Sequence, residues 1–218
     1  MKMRSIFLLL FSLVCFWSSA QSSRYTFVFL NTRTDKAELP KEDVDKLMQG
    51  HMANITRLAT EGKLIVAGPF DGGGGIFILN TTSIDEANTW LSTDPGIQAN
   101  RWKLDVLPYQ PRIGGVCVAK EPYEMVTYNF IRFRSNIHKE TVGDYPVLLK
   151  RHDEYLKQLA KNGNVITEGI FDDQEGGILI MKGDIQPEVF ENDPAVKGGT
   201  LLFEIKKLWV AKGAFCEQ

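Results

Sequence analysis

The sequence contains three histidines, and two of them, His51 and His152, stand 101 positions apart in matched surroundings. His51 has Leu47, Met48, Ile55 and Leu58 at offsets −4, −3, +4 and +7, and His152 has Leu148, Leu149, Leu156 and Leu159 at the same offsets. On a helix those offsets place each imidazole in the apolar stripe. A ring taken out of water favours its neutral form and can serve as a base near pH 7. Each histidine is followed by an Asp-Pro pair, Asp94-Pro95 and Asp193-Pro194. A carboxylate beside such a ring fixes its tautomer and supports the imidazolium that forms when a proton is taken. Taken singly, the histidine reads as a core residue satisfied by a carbonyl and the aspartate as a turn former. Their recurrence together predicts two acid–base pairs, His51 with Asp94 and His152 with Asp193, suited to proton abstraction with elimination or isomerisation.

Other chemistries find no support in the residue patterns. There is no H-E-x-x-H, no Cys/His cluster and no EF-hand spacing, so no metal site is expected. The run Gly72-Gly73-Gly74-Gly75 precedes an apolar strand and not a helix, which fits a flexible hairpin tip and not a phosphate cradle. No nucleotide or redox motif appears, and no cofactor is called for. The formal net charge is −2, with no Lys/Arg-rich run, so nucleic acid is not an expected partner.

The positioning elements recur as well. Gly62 to Asp71 reappears as Gly163 to Asp172, again 101 positions on, and the chain reads as a duplication. In the first copy Tyr25–Leu30 reads as a strand, and Pro40 opens a helix carrying His51. Leu64–Phe70 and Ile76–Leu79 read as two short strands. Ser83 with Glu86 forms a capping box for a second helix, and Arg101–Tyr109 is the last strand. The second copy repeats this order with strands near Met125–Phe133, Val165–Phe171, Ile178–Met181 and Leu201–Val210. Its helices run from about Asp144 to Asn162 and from Asp184. That is β-α-β-β-α-β twice, an α+β chain of two ferredoxin-like repeats. Leu64–Ala67 and Ile76–Leu79 are apolar without alternation, which implies burial on both faces and two sheets packed within one chain as a pseudo-dimer.

The ends and the middle carry organisational signals. Lys2 and Arg4, then the apolar run Ile6–Trp17, then Ser18-Ser19-Ala20 have the layout of a secretory signal peptide, too short to span a bilayer. The expected mature protein is soluble and periplasmic or secreted, with no membrane association after cleavage. Loss of the leader leaves Cys117 and Cys216, which in an exported chain form either a disulfide or a pair of buried thiols. Expected boundaries are a leader over 1–20, a first domain over 21–110, a Pro- and Gly-containing linker over 111–124 and a second domain over 125–218.

The helix carrying His51, the stretch Gly62–Phe70, the turn Asp71–Gly75 and Asp94-Pro95 together resemble the YCII-related domain family. The pattern returns as His152, Gly163–Phe171, Gly176-Gly177 and Asp193-Pro194, with Pro69 replaced by Ile170 and an acidic turn Asp172-Asp173-Gln174-Glu175. The resemblance implies a dimeric α/β-barrel arrangement, here intramolecular, and a His–Asp active site. At least one relative is a lyase that eliminates chloride from a chlorinated aromatic diol. Within the repeated motif Gly68, Pro69, Phe70, Gly169 and Phe171 are the candidate ligand contacts. The expected partner is a small molecule, and the expected state is a monomeric pseudo-dimer or a higher homo-oligomer. The alternatives are a non-catalytic module that holds a small apolar or aromatic ligand, and a purely structural partner protein.

Overall fold

The computed structural model describes residues 24–136, 144–171 and 176–216. The expected leader and the acidic turn Asp172–Glu175 lie outside the described residues. In chain order the elements are β1 (Tyr25–Thr32), α1 (Lys41–Thr60), β2 (Leu64–Pro69), β3 (Gly75–Leu79), α2 (Ile84–Leu91), α3 (Pro95–Gln98), β4 (Trp102–Ile113) and β5 (Gly115–Val116). They continue as β6 (Met125–Ser135), α4 (Tyr145–Ala160), β7 (Val165–Phe171), β8 (Gly177–Met181), α5 (Glu188–Glu191), α6 (Pro194–Lys197), β9 (Leu201–Ala211) and β10 (Phe215–Cys216). The protein is thus α+β around one large antiparallel sheet.

Eight strands form that sheet in the order β2-β3-β1-β4-β7-β8-β6-β9. Its two edges meet: Phe70 bridges to Leu208, and the Asp71 N–H donates to the Lys207 carbonyl at 3.0 Å. Exposed strand edges are templates for unwanted pairing, and this contact covers part of both. Alternation along β1 explains its uninterrupted apolar sequence. Phe27 and Phe29 join one cluster with Phe70, Tyr109, Phe130 and Phe171, while Val28 and Leu30 join another with Leu58, Phe77 and Leu91 under the helices. The first cluster is held by ring contacts such as Phe27–Tyr109 at 5.3 Å and Phe29–Phe130 at 5.9 Å. Pairs like these contribute about 0.5–1.5 kcal/mol each beyond their buried area. β3 is buried on both faces as expected, whereas Ile65 and Ala67 of β2 are only half-buried, because β2 lies at an edge.

Three local expectations are corrected. β4 continues through Pro108 and Pro111 to Ile113, and β5 follows at Gly115, inside the stretch expected to be linker. Proline is tolerated because β4 changes partners. Residues 102–109 pair with β1 and residues 109–113 with β7, so each proline has a ladder on one side only, with a bulge after Pro111. The capping box is half formed: Ser83 Oγ accepts from the Glu86 N–H at 3.2 Å, but the Glu86 carboxylate bonds Thr81, whose hydroxyl also accepts from the Ser83 N–H at 3.0 Å. The helix expected from Asp184 is α5, which begins at Glu188 with Pro187 as its N-cap.

α1 behaves differently along its length. Only His51, Asn54 and Leu58 are buried, while Met48 and Met52 are exposed. A 20-residue helix is about 30 Å long against about 20 Å for the six-residue β2. Its N-terminal half is mostly exposed, and the apolar stripe inferred from Leu47 and Met48 is only half-used.

Candidate active site

The site is made where α1 meets the short helix α3. Asp94 is the N-cap of α3, extended at φ −84° and ψ 122°, and its Oδ1 accepts from the N–H groups of Gly96 at 2.8 Å and Ile97 at 3.2 Å. Pro95 occupies the first turn, where its missing N–H costs nothing. Asp94 is therefore a cap, as its sequence context suggests, but its second oxygen has another task. Oδ2 accepts from His51 Nδ1 at 2.7 Å and from Asn54 Nδ2 at 3.3 Å. An ionised carboxylate can only accept, so Nδ1 carries the proton and the lone pair of the neutral ring lies on Nε2.

Two glycines permit this approach. A Cβ on Gly50 would lie 2.9 Å from Cγ of Pro95, and a Cβ on Gly96 would lie 2.5 Å from the Trp102 ring. The imidazole is then flanked by Phe77, at 5.8 Å between ring centres, and Trp102, at 4.7 Å. His51 is 7% exposed and Asp94 fully buried. Nε2 has no hydrogen bond among the described residues. The buried polar side-chain atoms without a partner there are Tyr109 Oη and Arg132 Nε, so Nε2 retains contact with solvent. Burial by itself would raise the Asp94 carboxyl. The His51 hydrogen bond and charge, the Ile97 N–H and Asn54 outweigh it and hold Asp94 below the usual carboxylate range.

The second pair repeats the central contact with a thinner surround. His152 Nδ1 lies 2.6 Å from Asp193 Oδ2, and Asp193 Oδ1 accepts from the Ala195 N–H at 2.8 Å as the N-cap of α6. Phe133 packs edge-on to this ring at 4.8 Å. Tyr155 occupies the helix position equivalent to Asn54, and its hydroxyl donates to the Val189 carbonyl at 2.7 Å, not to Asp193.

The expected ligand contacts are placed in packing. A Cβ on Gly68 would meet the Trp209 carbonyl at 2.7 Å, and one on Gly169 would meet the Tyr109 ring at 2.5 Å. Phe70 and Phe171 belong to the aromatic core, and Pro69 is exposed at the sheet edge. Two hollows of 390 and 100 Å³ lie elsewhere, the larger beside Cys117, Lys120 and Lys212, the smaller beside Tyr25 and Pro108. None of the five residues lines either. From sequence, a glycine that admits a neighbouring side chain looks the same as one that admits a ligand. Asn54 was missed, although its signal was present: a polar residue three positions after His51 on the buried face.

Cys117 and Cys216 are joined as a disulfide with Cα atoms 5.6 Å apart, beside the pairing of β5 with β10. Among the described residues no group of three or more His, Cys, Asp or Glu side chains could hold a metal ion, and no helix is long and apolar enough to cross a membrane.

The protein is α+β around one large antiparallel sheet, and two buried histidine–carboxylate contacts lie under its helices. The YCII-related domain model matches residues 26–108, from β1 to the middle of β4. No curated protein matches the sequence. Among solved structures, a chlorite dismutase variant from Candidatus Nitrospira defluvii in complex with cyanide is 10% identical over 86% of this chain and 91% of that chain, with a TM-score of 0.52. Another variant of that enzyme is 12% identical over 86% and 92% of the two chains, with a TM-score of 0.50. These likenesses show the dimeric α/β-barrel fold. A heme-binding protein from Thermus thermophilus is 14% identical over 88% and 92%, with a TM-score of 0.47.

The residues around His51 do not fit a haem. Nε2 is a competent donor, but Phe77 and Trp102 flank the ring within the cluster packed under the helices, and the histidine is buried there. A macrocycle has no slot in that packing.

Proposed function

We propose that this protein is an exported small-molecule enzyme in which His51 moves a proton at Nε2 while Asp94 holds its Nδ1–H. The chain consists of two ferredoxin-like repeats that close into one intramolecular barrel, with a leader over 1–20 and domains over 21–110 and 125–218. The single observation that carries the catalytic reading is the 2.7 Å contact between His51 Nδ1 and the buried Asp94 carboxylate, which leaves Nε2 unbonded among the described residues. Taking a proton from a substrate makes the imidazolium, and Asp94 balances the new charge. The reaction class is proton abstraction followed by elimination or isomerisation. His152 and Asp193 form a second, less supported pair. The Cys117–Cys216 disulfide agrees with export to a periplasmic or extracellular space, where such bonds persist.

The test is a melting-temperature screen with small organic acids and halogenated phenols, followed by turnover assays on those that bind. His51→Gln should lower turnover by about 10²–10⁴-fold while the protein stays folded. Ligands that raise the melting temperature without turnover would replace this reading with a binding module. No ligand response together with a stable protein partner would replace it with a structural role.

A further inference from the structure

We infer that Asn54 is a positioning residue for the first pair, and that this makes His51–Asp94, not His152–Asp193, the working centre. Asn54 is 7% exposed and sits in the buried face of α1 between His51 and Leu58, where an apolar residue would fill the stripe. Its amide orientation is decided by its neighbours. Arg57 Nη2 donates to Asn54 Oδ1 at 2.8 Å, so the amide NH2 must face the Asp94 carboxylate, which it reaches at 3.3 Å. Arg57 Nη2 also lies 2.8 Å from Thr93 Oγ1, which in turn stands 3.0 Å from Asn54 Oδ1. Arg57, Asn54, Asp94 and His51 thus form one chain of hydrogen bonds that begins at the surface and ends on the imidazole.

Among the described residues no equivalent chain supports the second pair. At the matching positions Asn54, Arg57 and Thr93 become Tyr155, Gln158 and Asn192. Tyr155 bonds the Val189 carbonyl, and the Asn192 amide bonds the Glu188 carbonyl at 2.8 Å. Within the described residues the Asp193 carboxylate is held by two groups, His152 on Oδ2 and the Ala195 N–H on Oδ1, whereas Asp94 is held by four, two of them on Oδ2. Fixing the carboxylate fixes the ring, and with it the direction of the Nε2 lone pair. Its catalytic consequence rests on the proton-transfer reading above; the positioning itself does not.

The test uses the full-length mature protein and NMR of the histidine ring protons, assigned with His51→Gln and His152→Gln. In the unaltered protein each Nδ1–H should give a downfield resonance, with that of His51 exchanging more slowly with water. Asn54→Leu, which keeps the size and restores the apolar stripe, should leave the melting temperature unchanged or higher. It should speed exchange of the His51 ring proton at least tenfold and leave His152 unaffected. Arg57→Met, a change at a partly exposed position, should move His51 in the same direction by a smaller factor. On any substrate turned over by the unaltered protein, Asn54→Leu should lower kcat about tenfold with KM unchanged. An unchanged His51 resonance, equal changes at both histidines, or an Asn54→Leu protein that fails to fold would overturn the inference. Failure to find any substrate would overturn the enzymatic reading and leave the ring-proton result standing.

Discussion

Gly50 and Pro95 touch so closely that a single added carbon on Gly50 would lie 2.9 Å from the proline Cγ. This contact sets how near α3 comes to α1, and therefore whether Asp94 reaches His51. A mid-helix glycine ordinarily costs about 0.5–1 kcal/mol relative to alanine. Its presence one residue before His51 is explained by the approach it allows. Gly50→Leu should destabilise the protein by about 1–3 kcal/mol, the range for overpacking. It should also abolish the downfield His51 ring proton while leaving that of His152. Urea unfolding followed by NMR of the same sample checks both.

Asp94 makes a pH-dependent contribution of known sign. Its carboxyl is held below its ordinary value in the folded protein, so the folded state binds fewer protons there than the unfolded one. The stabilisation is present above about pH 4, the unfolded carboxylate value, and disappears as pH falls through the lower folded value. Asp94→Asn keeps a side-chain oxygen for the α3 cap but loses the charge. Melting temperatures measured from about pH 2.5 to about pH 7, a range that brackets the ordinary carboxylate value, should show the variant less stable at neutral pH, with the two curves converging in acid. Parallel curves would contradict this.

An ion cluster around the buried Glu168 ties β4 to the second half. Arg112 forks onto Glu168, with contacts of 2.6–3.2 Å, and also reaches Asp153 at 2.8 Å. Glu168 is 3% exposed, and the two carboxylates push the guanidinium further above its already high range against the opposing effect of burial. Removing one partner of such a pair leaves the other charge stranded. Arg112→Met, which strands the buried Glu168 carboxylate, should cost about 3 kcal/mol in chemical unfolding, while Glu168→Gln, which keeps an acceptor, should cost less.

The Cys117–Cys216 link closes a loop spanning 99 positions. In the chain-entropy picture such a link contributes up to about 4.7 kcal/mol, with measured values commonly about 2–4 kcal/mol. Cys117→Ser with Cys216→Ser should lower stability by that amount and leave the His51 ring proton in place, since neither cysteine touches either histidine pair. A thiol titration of the unaltered protein should find no free cysteine in the described region.

The central strands and both histidine pairs could be read from residue order because each observation occurred twice. One Asp-Pro is a turn; two at matched distances after two histidines are a pattern. Features that occur once were harder to read. Asn54 has no copy in the second half, and a lone polar residue near a helix stripe ordinarily faces water. Met48 fitted the helical period, but periodicity says nothing about how much of the stripe is covered. Pro111 suggested a linker because the pairing that accommodates it depends on the distant β7. Gly68 and Gly169 showed that something approaches the backbone, and only the packed structure identifies it as Trp209 and Tyr109.

The most direct test of proton transfer at His51 is deuterium wash-in. A ligand with an acidic C–H, identified by its effect on melting temperature, is incubated with the protein in D2O, and the ligand carbon is followed by NMR. The account predicts enzyme-dependent exchange that falls by about 10²–10⁴-fold in His51→Gln and persists in His152→Gln. Undiminished exchange in His51→Gln would contradict it.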